Sequence, residues 1–303
     1  MKKTFQLLFL FLGTVIYSQN KGDNFRKNGD LEKAIRAYSI EYFKNKNDAK
    51  NTYKLASTYS LMYQKDSAFH YLNIALKNDM RLWVLADNDF YPLTKYQKWA
   101  EIEDQQFKKF QAKNGKLKNP KYAKQLIRLI IKDQALDYQQ DMARNYFMKN
   151  GKVPHWFYPI MQQKKEIAST SFAEMRQLIK QYGWPRYSTV GKLAADAPLL
   201  VINHLESEEM RIKYLPQIKK ACLQKEGSCM EFAKINDRIL VNTGKFQTYG
   251  MQFRYNSKRQ LEPFPIKDPE YVDQKRFAIG LEPIKKYLKR KINYDWTIKQ
   301  KTK

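Results

Sequence analysis

Apolar residues recur at helical spacing along most of this chain, and the breaks between such stretches are few. From Asn20 to about Ala112 the pattern is that of paired helices. Ala34 and Ala68 lie 34 residues apart in similar settings, Asp30-Leu31-Glu32-Lys33-Ala34 and Lys65-Asp66-Ser67-Ala68. Placing both alanines where two helices cross closely aligns Gly22 and Tyr38 in a first unit. It aligns Leu55, Ala56, Tyr59, Leu72 and Ala75 in a second. Such crossings need small residues, with larger apolar ones filling the gaps. Lys21 and Glu41 fit the first unit poorly. A capping helix is expected around Phe90 to Phe110. Residues 113–121, KNGKLKNPK, are polar and read as a linker or surface loop.

From Tyr122 to the end, 122–303, a second and mostly helical domain is expected. Ala123, Leu126, Ile127, Ile130 and Ile131 share one helix face. Gly151 to Pro159 breaks the pattern. Phe172, Met175, Leu178, Ile179 and Tyr182 form the next stripe, stopped by Gly183-Trp184-Pro185. Further helices are expected over about Lys192–Leu205, over Glu208–Lys225 with Pro216 as a kink, and over Ser228–Val241. Gln247 to Tyr255 reads as a strand that turns at Asn256-Ser257-Lys258 into a second near Leu261 to Ile266, a possible small β-hairpin. Short helices over Asp268–Ile279 and Pro283–Lys291 precede a basic tail expected to fray after Asn293. The fold class is therefore mainly α.

The first residues change the picture of where the chain works. Lys2 and Lys3 precede an almost wholly apolar run from Phe5 to Ile16, and Tyr17-Ser18-Gln19 offers a cleavage region. This is the pattern of a signal peptide over 1–19, an uncleaved anchor being the alternative. No later run approaches the ~18 apolar residues of a membrane span; Ala197 to Ile202 is the strongest. The expected location is periplasmic or secreted, with the chain soluble after cleavage. That compartment permits disulfides. Cys222 and Cys229 flank Glu226-Gly227-Ser228, a turn at which Ser228 and Glu231 form a capping pair. A bridge across the turn and two buried thiols both fit.

The chain carries a formal charge of +26, and +24 once Lys2 and Lys3 leave. Such an excess favours anionic surfaces, or is simply a lysine-rich solvated face. Export disfavours nucleic acid.

The 34-residue period resembles that of tetratricopeptide repeats. The second domain resembles an uncharacterised bacterial family, domain of unknown function 6624. The resemblance rests on Asp133-Gln134, Gly183-Trp184-Pro185, Gly191, His204, Asp237-Arg238, Gly244, Gln247, Tyr249-Gly250, Asp273, Arg276 and Gly280-Leu281. Asp137, Ser171 and Met251 depart from the family pattern, where Arg, Asn and Thr are usual. The resemblance implies a helical domain with a shared polar cluster and no particular activity.

Candidate chemistry centres on that cluster. His204 follows a buried-looking helix, where an imidazole must find partners. Oriented by Asp237, Asp133 or Asp273, it could act as a general base; held by a backbone carbonyl, it is structural. Arg238 can grip a carboxylate or phosphate, or pair with Asp133 or Asp273. Asp133, Gln134, Gln247, Tyr249 and Arg276 are expected to complete a ligand-binding pocket. Signatures of nucleotide, zinc-protease and serine-hydrolase sites are absent, and neither a cofactor nor a metal site is expected. His204-Leu205-Glu206 is only a weak metal motif. Three readings follow. One is a binding module, with a repeat groove for another envelope protein and a polar pocket in the C-terminal domain. The second is a hydrolase-like enzyme using His204 and a carboxylate to activate water on an anionic substrate. The third is attachment to an anionic small molecule or polymer through Lys285, Lys286, Lys289, Arg290 and Lys291.

Overall fold

The computed structural model describes residues 21–205 and 207–301. The expected signal segment and Glu206 lie outside the described residues. The chain folds as two compact units and crosses between them three times. Of the described residues, one unit holds 21–116 together with 127–167, and the other holds 117–126 together with 168 onward. The expected division at 113–121 was linear.

Among the described residues the first unit opens on helix α1, which includes residues 21–27. Helices α2 (Leu31–Lys44), α3 (Ala49–Leu61) and α4 (Lys65–Ala75) follow, linked by short turns. Two 3-10 turns, Trp83–Ala86 and Asn88–Leu93, lead to α5 (Gln97–Asn114). Helix α2 packs on α3, and α3 packs on α4 and on the second 3-10 turn. Ala34 and Ala68, the two close-crossing positions, have no exposed surface. Gly22 shows why a small residue is required there: a Cβ would lie 2.5 Å from the Tyr38 ring. Asp48 caps α3 by accepting the Asn51 N–H, and the buried Asn51 amide donates to the Tyr38 carbonyl, tying α3 to α2. The unit is completed by the second half of α6 (Pro120–Asp133), by α7 (Asp137–Asn150) and by the start of α8 (Phe157–Tyr182). Arg128 of α6 pairs with Glu103 of α5, which is 2% exposed. Tyr138 and Asn145 of α7 donate to the carbonyls of Arg26 and Lys27.

In the second unit, α8 stops at Tyr182 and Gly183 follows with φ +79°. The single helix expected over Lys192–Leu205 is two, α10 (Lys192–Ala195) and α11 (Ala197–His204), after the short α9 (Tyr187–Val190). The cause is Pro198, which lacks an N–H and forces a restart with proline in the first turn. Helix α12 (Glu208–Leu223) runs through Pro216. Helix α13 (Cys229–Asn242) starts where the Ser228 hydroxyl accepts the Glu231 N–H. Cys222 and Cys229 are bridged across the turn between them.

The hairpin is shorter than expected. Strand β1 (Phe253–Tyr255) pairs antiparallel with β2 (Leu261–Pro263), Arg254 opposite Glu262. Gln247 makes only an isolated bridge to Ile266. A 3-10 turn at Pro269–Tyr271 then leads into α14 (Val272–Phe277) and α15 (Ile284–Ile292). Ala233, Met251, Val272, Ile284, Tyr287 and Leu288 form the core here, and Trp296 joins it. The tail therefore does not fray: Trp296 is 8% exposed, Gln300 binds the Pro269 carbonyl and the Asp273 N–H, and the Lys301 N–H donates to Glu270. Apolar anchorage outweighs the local excess of lysine. Among the described residues no helix is long and apolar enough to cross a membrane.

Candidate functional site

Several of the polar residues expected to line a pocket in the second unit bind main-chain groups instead. Asp237 lies on the buried face of α13 with no exposed surface. Its carboxylate accepts the backbone N–H groups of Thr248 at 2.8 Å, Tyr249 at 2.9 Å and Met251 at 3.0 Å, and the Asn236 amide at 3.2 Å. Those bonds hold residues 248–251 off any sheet ladder, which is why β1 starts only at Phe253. Burial pushes the Asp237 pKa up, against the opposing pull of these donors. Gln247, also fully buried, donates to the carbonyls of Gln252 and Phe264 and accepts the Gln252 N–H. Arg276, fully buried, donates to the Tyr249 and Glu282 carbonyls, with its guanidinium 4.6 Å from the Tyr287 ring centre. Burial lowers its pKa. Asp273 accepts the Ile284 N–H at 2.6 Å. Gly250 sits within this clasp at φ +74°, where a Cβ would be 2.5 Å from Ile284 Cδ1.

His204 ends α11 and is exposed, not enclosed as its apolar helix suggested. Asp237 is not arranged to orient it, because the roughly four acceptor positions of a carboxylate face three backbone donors and one amide. Arg238 donates to the Asn203 carbonyl at 2.8 Å, and Arg211 donates to the same carbonyl at 3.2 Å while pairing with Glu208. Burial, reinforced by Arg211, lowers the Arg238 pKa. The expected partners Asp133 and Asp273 are therefore not what holds Arg238. Asp133, 3% exposed, and Gln134 belong to the first unit, whereas the other proposed ligands belong to the second. Among the described residues no group of three or more His, Cys, Asp or Glu could hold a metal ion.

A cavity of about 490 Å³ lies in the first unit, between α1, α2, α3 and α7. Arg26, Lys27, Lys54 and Arg144 line it with Asp23 and Asp141, and Tyr38 and Tyr138 add aromatic wall. Its floor is a fixed network. Lys54 Nζ contacts both Asp23 oxygens, at 2.7 and 2.6 Å, and the Tyr38 hydroxyl donates to Asp23 at 2.6 Å. Burial alone would raise the Asp23 pKa, but these two donors hold it below the usual value. Burial also raises the Tyr38 pKa, aided by Asp23. Arg26 donates to Ser57 at 2.8 Å and pairs with Asp89. Arg144 pairs with Asp141 at 3.2 Å. Lys27 has no carboxylate partner among the described residues. The sequence expectations missed Asp23, Arg26 and Lys54. The available signal was the polar content of α3, whose buried residues include Asn51, Thr52, Ser57, Thr58 and Ser60.

Against known proteins, a family model described as a family of unknown function, DUF6624, matches residues 120–301. No curated protein and no solved structure matches the chain.

Proposed function

We propose, from the premise that the chain belongs to the family of unknown function DUF6624, that it is an exported binding module. Its cavity in the first unit would take a short anionic segment of another envelope protein. The observation that carries this reading is the lining of that cavity, four cations against two carboxylates, with Lys27 left without an acid. The Asp23–Lys54–Tyr38 network fixes the floor before any ligand arrives, which lowers the ordering cost of binding. The helix pairs of the first unit, with their 34-residue period, would present this hollow as tetratricopeptide repeats do. The alternative, a hydrolase using His204 and Asp237, is not favoured, because the acceptor positions of Asp237 are occupied by backbone donors.

The test is affinity capture from cell-envelope extract with the parent chain and with Lys27→Glu combined with Arg144→Glu. Both side chains are exposed, so the fold should be kept. Partners retained by the parent and lost from the variant are expected, with salt weakening capture. Equal retention by both proteins would refute the cavity as the binding site. N-terminal sequencing of the protein from its own cells belongs to the same experiment: an intact Met1 would refute cleavage of the signal segment.

A further inference from the structure

The end of α7 is exposed around its axis, although Tyr146 and Phe147 keep part of their surface covered and Lys149 reaches Asn28. Residues 146–150 are all exposed, and five consecutive helical residues sweep more than a full turn about the axis. Gly151 then caps the helix, its N–H donating to the Phe147 carbonyl. This helix end therefore projects from its unit. What it projects is apolar: Tyr146 is 40% exposed, Phe147 46% and Met148 76%. The turn into α8 adds Trp156 at 43% and Tyr158 at 64%. A soluble surface rarely gathers so much aromatic and methionine area in one place without a use for it.

Along the chain, the charged residues that form this tip are all lysine or arginine. From Met142 to Lys165 the chain contains no Asp or Glu, but five Lys and Arg. Of these, Arg144 pairs with Asp141, and Lys164 with Asp137. Lys149 and Lys152, directly beside the aromatic residues, have no carboxylate partner among the described residues; Lys149 reaches only the Asn28 side chain, at 3.3 Å.

Trp and Tyr with a surrounding ring of lysine is the composition favoured at a lipid–water boundary, where the rings sit among the headgroups and the ammonium groups meet lipid phosphates. An exposed helix end also suits a fluid layer, which can mould itself around what protrudes. A folded protein would have to offer a matching hollow. We propose that the end of α7 and the turn into α8 dock on an anionic lipid surface. Phe147, Met148 and Trp156 enter the headgroup layer, and Lys149 and Lys152 contact lipid phosphates. Docking of this kind lies on the bilayer and needs no spanning helix.

The experiment uses the protein purified from its own cells and phosphatidylcholine vesicles with or without about 30% phosphatidylglycerol, read by co-sedimentation. Three variants are compared: Phe147→Ser with Met148→Ser, Lys149→Glu with Lys152→Glu, and, on exposed positions of α15, Lys285→Glu with Lys286→Glu. All six side chains are exposed, and circular dichroism checks that each variant keeps its helices. The parent should bind the anionic vesicles at least about tenfold more tightly than the neutral ones. Each tip pair should lower that affinity about tenfold or more, and the α15 pair less than about threefold. Equal loss from the α15 pair would overturn the proposal in favour of undirected charge attraction. It would also be overturned by no binding of the parent, by undiminished binding of the tip variants, or by a tip needed only to retain a protein partner.

Discussion

Replacing Asp237 by Asn separates a structural role from a chemical one at the centre of the family motif. The carboxylate gathers three backbone N–H groups from residues 248, 249 and 251. An amide of the same shape keeps one acceptor oxygen and turns an NH2 toward the remaining donors. Because the Tyr249 N–H reaches both oxygens, either orientation of the amide leaves one N–H group, that of Thr248 or of Met251, without its acceptor and facing an NH2, at about 1–3 kcal/mol. Against this, the substitution removes a charge that burial disfavours. The balance is a destabilisation of about 1–3 kcal/mol, appreciable beside the roughly 5–15 kcal/mol of a typical domain. Urea unfolding measures the total. Amide hydrogen exchange locates it, with protection at Thr248, Tyr249 and Met251 falling far more than protection in α2 or α3. A variant within about 1 kcal/mol of the parent, with those three amides still protected, would refute the reasoning.

Two further outcomes test the same architecture. Gly250→Ala places a Cβ at 2.5 Å from Ile284 Cδ1 on a residue with φ +74°; urea unfolding should show a loss of about 2–4 kcal/mol. Adding Ile284→Val removes that Cδ1 and should recover part of it, and a single-variant loss below about 0.5 kcal/mol would contradict the contact. Asp196 accepts the Tyr187 hydroxyl at 3.0 Å, and burial pushes its carboxyl up to about 6. A raised carboxyl pKa means that its contribution to stability is full below about pH 4 and is lost as pH rises through 6. Relative to Asp196→Asn, the parent should therefore lose about 1–3 kcal/mol between pH 4 and 7, and parallel pH profiles for the two proteins would exclude this.

Much of the fold was legible because the signals were local. Gly183-Trp184-Pro185 ends α8, Ser228 caps α13, and the asparagine turn after β1 uses the Asn256 side chain to accept the Lys258 and Gln260 N–H groups. The bridge between Cys222 and Cys229 was one of two readings that spacing allowed. The site was less legible, since residue type does not show which way a polar group faces. Asp237, Gln247 and Arg276 are all buried, but their partners are main-chain groups, most of them in the irregular segment 248–252, with Phe264 and Glu282 beyond it. A loop with few ladder bonds needs such acceptors and donors if it is to be buried. The anchored tail was missed for a related reason: Trp296 and Gln300 act through contacts with the turn at 269–271 and the core, at long range from a stretch dominated locally by lysine.

The three crossings of the chain between the units set the order in which they can be completed. A chain emerging amino end first has made α1 to α5 by residue 114, yet Tyr138 and Asn145, which clasp the carbonyls of Arg26 and Lys27, are still to come. Residues 117–126 then wait for everything after 168. The first unit has its whole sequence once residue 167 has emerged, and only the second must wait for the rest of the chain. A gene segment cut at the start of the family match, residue 120, would leave α7 without the carbonyls it grips and α6 without Glu103. A cut there divides the first unit and does not separate one unit from the other.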